Sequence, residues 1–67
     1  MLQPHQQRVL DEQTELLLKI SKLGIFLVSD KFKTVSETEQ KLLPQQLEAM
    51  SKYSSILAER IKAFLTS

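Results

Sequence analysis

Sixty-seven residues carry nine basic and eight acidic side chains, for a net charge of +1, with one histidine and no cysteine. This composition excludes disulfides, thiolate metal sites and a broad basic face for nucleic acid, and it leaves room for one domain at most. A chain this short buries only about 60% of its unfolded surface, so partner subunits are the expected source of further stability.

The opening run Met1-Leu2-Gln3-Pro4-His5 has neither a charged n-region nor an apolar h-region, so no secretory leader is expected. The longest uncharged apolar run, Leu23 to Val28, falls far short of the ~20 residues needed to span a bilayer. Both readings point to an intracellular protein that does not engage membranes.

The first predicted helix covers residues 4–29. Pro4 suits its first turn, where a missing N–H is unpaired in any case. Val9, Leu16, Ile20, Leu23 and Leu27 follow steps of three, four and seven and form one apolar seam. Gly24 interrupts the helix at a cost of up to ~1 kcal/mol relative to alanine. The expected reason is close approach of a neighbouring helix, the alternative a hinge or ligand contact.

The connection, residues 30–36, lacks glycine and proline, so a short helical piece is expected there in place of a tight turn. Phe32 lies within it among charged neighbours. It either plugs the open end of the hairpin or contacts a partner.

The second predicted helix covers residues 37–64. Ser36 followed by Glu39 matches a capping box, in which side chains satisfy the first free backbone N–H groups, and Thr34 is a competing cap. Its seam is Leu43, Leu47, Met50, Leu57, Ile61 and Phe64. Pro44, two turns in, removes a backbone donor and crowds the preceding turn, so a kink or break is expected near Lys41. Glu15–Lys19, Glu37–Lys41 and Glu48–Lys52 are acid-before-base pairs at four-residue spacing, each contributing ~0.3 kcal/mol on solvated faces.

Two seams joined by a short polar link predict an all-α fold, an antiparallel two-helix hairpin. The helices also carry apolar residues beyond the seams. Leu42, Ala49, Ile56 and Ala63 recur at a strict seven-residue interval, and Leu10 and Leu17 flank the first seam. A hairpin buries one stripe per helix, so a second stripe calls for a second partner surface. The economical solution is self-association into a helical bundle, with Leu42, Ala49, Met50, Ile56, Ala63, Leu10 and Leu17 as interface candidates.

No phosphate-binding glycine loop, paired histidines or assembled nucleophile set is present, so no catalytic residue, metal site or cofactor is expected. Binding chemistry is more open. Tyr53 and Arg60 are seven residues apart on one helix face. A stacking ring and a forked guanidinium suit the base and phosphate of a nucleotide, with Arg8 and Lys19 as further candidate cations. An interface tyrosine with a salt-bridged arginine is the plainer alternative.

The residues Asp30-Lys31-Phe32-Lys33, Glu39-Gln40, Leu42-Leu43, Gln46-Leu47-Glu48-Ala49-Met50, Tyr53-Ser54, Ile56-Leu57 and Arg60-Ile61 form a distinctive pattern. Upstream, Arg8-Val9, Asp11-Glu12, Lys19-Ile20 and Lys22-Leu23 extend it over roughly residues 6–64. The pattern resembles a family of small helical tailed-phage proteins named after a crAss-like phage member; Pro44 departs from it. The resemblance implies a phage or prophage origin and a place in the bacterial cytoplasm. By analogy with other small phage helical proteins, it implies anti-defence action by an oligomer that sequesters a nucleotide immune signal. The alternatives are an inhibitor that blocks a host defence protein and a virion or assembly scaffold.

Overall fold

A computed structural model describes residues 2–66. Helix α1 spans Pro4–Leu27, a 3₁₀ turn spans Asp30–Thr34, and helix α2 spans Glu37–Thr66. The two helices form a hairpin 47 × 15 × 14 Å, with no strand among the described residues.

Each element begins and ends where local chemistry provides partners for free backbone groups. Pro4 occupies the first turn of α1, and the Gln6 side chain accepts the Gln3 N–H at 2.9 Å. At the other end, the Val28 and Ser29 N–H groups close back on the Ile25 and Phe26 carbonyls, and Ser29 Oγ donates to Phe26 O at 2.6 Å. The helix thus stops two residues before position 29. The link is helical, as its lack of glycine and proline suggested. Phe32 in the link meets Phe26 edge-to-face, with ring centroids 6.1 Å apart. The Gln40 amide ties link to helix by donating to the Lys33 and Val35 carbonyls at 3.3 and 3.1 Å. Ser36 caps α2 through its Oγ, which accepts the Glu39 N–H at 3.2 Å. Thr34 instead donates to Lys31 O, so it is not the cap.

Two expectations are corrected. Of the kink or break expected at Pro44, the break does not occur: helix α2 continues through it. One lost backbone bond costs about 3 kcal/mol, but Leu43 and Leu47, on either side of the proline, are both half-buried and hold the segment to α1. The Gln45 side chain also donates to Lys41 O at 3.1 Å, one position from the carbonyl the proline leaves. Gly24 is not at a close helix approach either: a Cβ built there would meet nothing within 4 Å.

The core is narrow. Val9, Leu16 and Leu57 are buried, Leu57 completely, and Ile20, Met50, Ile61 and Phe64 pack around them. Met50, also an interface candidate, packs in the hairpin seam and is half-buried there. Both seams also contain a polar step. Gln13 fills the gap between Val9 and Leu16, and Ser54 the gap between Met50 and Leu57. The two side chains meet: Gln13 Nε2 donates to Ser54 O at 3.1 Å, and Ser54 Oγ donates to Gln13 Oε1 at 3.1 Å. Sliding one helix past the other would strand both groups inside the seam, so this reciprocal pair fixes the register.

Candidate functional site

A depression lies on the outer side of α2, away from the seam. It is an open groove of about 420 Å³ lined by Lys52, Ser55, Ile56, Glu59, Arg60 and Ala63. All six belong to one helix. Steps of three and four along a 3.6-residue period bring them onto one face.

Ile56 and Ala63 give the groove an apolar floor one heptad long. Ala63 is the smallest side chain in a lining that otherwise includes the longer Lys52, Glu59 and Arg60. Ser55 Oγ donates to Ser51 O at 3.1 Å, which spends its proton on the backbone and leaves the oxygen as an acceptor. Chemically, the floor suits the flat face of a ring or an aliphatic side chain. Arg60 and Lys52 supply positive charge, and Glu59 supplies an acceptor for N–H groups. Among the described residues, no cluster of three or more His, Cys, Asp or Glu side chains could hold a metal ion.

Of the ligand candidates, the groove includes Arg60 alone. Tyr53 is exposed one turn before Ile56 and stands at the groove's edge without lining it. Arg8 and Lys19 are exposed on α1 and do not contribute to it. Of the interface candidates, Leu42, Ala49, Ile56, Ala63 and Leu17 are exposed, and Leu10 is half-buried. Phe32 is half-buried against Phe26. Ser55 and Glu59 were missed in the sequence, although Glu59 follows Lys52 at the same seven-residue interval that relates Ile56 and Ala63. No helix of the described residues is long and apolar enough to cross a membrane.

The sequence model of the Sequestin family matches residues 3–63, and the chain belongs to that family. It is also similar to the 7.5 kDa protein of the denB-rIIB intergenic region of Enterobacteria phage T4. The two are 47% identical over 60 residues, covering 90% of this chain and 94% of the phage protein. No solved structure matches the fold. A small phage protein family is thus shown, and the crAss-like name is not part of what the comparisons give.

Proposed function

We propose that this Sequestin-family chain is a non-catalytic, phage-encoded binding protein that acts against host defence in the bacterial cytoplasm. In this reading it self-associates and sequesters a nucleotide immune signal. The observation that carries it is the pair of exposed cations, Arg60 and Lys52, that line the outer groove of α2. Tyr53 at the groove's edge is available to stack on a base, and Arg60 to fork onto a phosphate. Arg8 and Lys19 extend the positive charge to α1. The family's description, Sequestin, agrees with an activity that consists of holding a ligand.

A sponge requires little else of its fold. It needs no general acid, base or nucleophile, only a site that binds and a scaffold that keeps its shape. Calorimetric titration against a panel of cyclic and linear nucleotides tests the proposal. One of them binds the wild-type protein, and Arg60→Ala weakens binding by about tenfold or more, on the scale of a lost charge-assisted hydrogen bond. Circular dichroism of the variant remains unchanged, because Arg60 is exposed. Absence of any nucleotide binding to the wild-type protein would contradict the proposal.

A second reading is a blocker of a host defence protein, and a different surface favours it. Leu18 and Ile25 are exposed on α1, and Val28, just past its end, is 88% exposed, which gives an aliphatic patch able to dock on another protein.

A further inference from the structure

The hairpin exposes more surface than a chain of its size should. Its accessible area is 5347 Å², whereas a compact monomer of 7.7 kDa exposes about 4,300 Å². The excess of about 1,000 Å² is slightly more than the ~800 Å² each partner contributes to a standard interface. The outer face of α2 shows how that surface can be covered.

Leu42, Ala49, Ile56 and Ala63 alternate large, small, large, small at seven-residue steps, and all four are exposed. Consider two copies of α2 laid antiparallel about a twofold axis midway between Ala49 and Ile56. Leu42 then lies opposite Ala63 of the second copy, and Ala49 opposite Ile56 of the second copy, and the same pairs recur across the axis. Every bulky side chain meets a small one, in four layers spanning about 31 Å of helix. Sliding either copy by one heptad loses a layer and sets Ile56 against Ile56, or Leu42 against Ile56. A twofold interface must be self-complementary in this way. The groove agrees with this pairing: Ala63 is part of its lining, and the Leu42 side chain of the second copy would arrive over it.

We infer that this face of α2 is an isologous interface with a second copy of the same chain, in antiparallel register, with Leu42 as knob and the Ala63 hollow as hole. The flanking residues agree with the register. Arg60 falls beside Gln46 of the second copy and Glu59 beside Gln45 of the second copy, and each ionic group finds an amide. Tyr53 meets its own copy near the axis. Lys52 also meets its own copy, but at the exposed rim, where long side chains diverge into water at little cost. The apolar floor is then covered by protein, while Tyr53 and Arg60 of both copies remain at the edge as walls of a shared cleft. This deepens the self-association in the proposed function and does not depend on any ligand.

The test needs no nucleotide. By sedimentation equilibrium the wild-type protein is a dimer or an even-numbered assembly of dimers. Leu42→Ala removes the knob and Ala63→Leu fills the hole, and each weakens dimerisation by roughly tenfold or more. The double variant, Leu42→Ala with Ala63→Leu, exchanges knob and hole and restores association. Because the chain has no cysteine, an equimolar mixture of Leu42→Cys and Ala63→Cys gives an oxidised heterodimer crosslinked between positions 42 and 63. A monomeric wild type, a double variant weaker than both singles, or preferential self-crosslinking of Leu42→Cys overturns the assignment. Circular dichroism, unchanged in all variants, separates these outcomes from misfolding.

Discussion

Helix α2 carries the same seven-residue rhythm on two faces, and the two faces meet different fates. On the inner face, Met50, Leu57 and Phe64 pack against α1 and enclose a polar pair, Gln13 with Ser54. On the outer face, Leu42, Ala49, Ile56 and Ala63 remain open to solvent. Period alone therefore decides which residues share a face. Whether that face is covered depends on what the rest of the chain can reach, and one hairpin reaches one face per helix. The inner face stabilises the hairpin, and the outer face is left available for binding.

The sharpest way to break the comparison is at the inner face. Leu57 is completely buried, and Leu57→Ala is expected to cost about 2–5 kcal/mol in urea-induced unfolding, enough to unfold much of so small a domain. Ile56→Ala, next to it on the outer face, should cost far less at protein concentrations where the chain is monomeric. Equal losses would mean that the two faces are not distinct.

A smaller effect is expected at the polar pair. Ser54→Ala leaves the Gln13 amide oxygen without its donor inside the seam, at a cost of about 1–3 kcal/mol. Adding Gln13→Leu removes the stranded group and recovers most of that loss. The double variant also gives up the register lock, so broadened amide resonances along the seam are the expected sign of sliding helices. Sharp, wild-type-like resonances would show that the apolar residues fix the register alone.

The smallest effect is a gain. Gly24→Ala should raise stability by up to ~1 kcal/mol, because the new methyl meets nothing within 4 Å. A loss in place of a gain, growing with protein concentration, would place Gly24 at a contact between copies.

Much of the hairpin was legible in the sequence, because a narrow seam at helical spacing leaves few alternatives. Ser36 as cap and the helical link followed from short-range hydrogen-bonding rules. The errors arose where local rules met tertiary packing. Of the kink or break expected at Pro44, the break does not occur, and Leu43 and Leu47 are half-buried on either side of it. Gly24 suggested a close approach that one hairpin does not make. Gln13 and Ser54 were overlooked because a search for apolar repeats skips polar steps, although each occupied the missing step of its own seam. The site was less legible. Arg60 was found from its spacing to Tyr53, but the hollow depends on Ala63 being small, and small residues give no charge or ring to notice. Lys52 read as the base of the Glu48–Lys52 pair on a solvated face, and the groove places it beside Glu59 in its lining.

The central claim is that a self-associating hairpin binds a nucleotide, and native mass spectrometry after exposure to a mixed pool of cyclic and linear nucleotides tests it most directly. The account predicts an even-numbered oligomer carrying a nucleotide mass at fixed stoichiometry, with the adduct lost in Arg60→Ala and the oligomer retained. An oligomer free of any adduct would contradict the sequestration reading while leaving the α2 interface standing, and a monomer would contradict the interface itself.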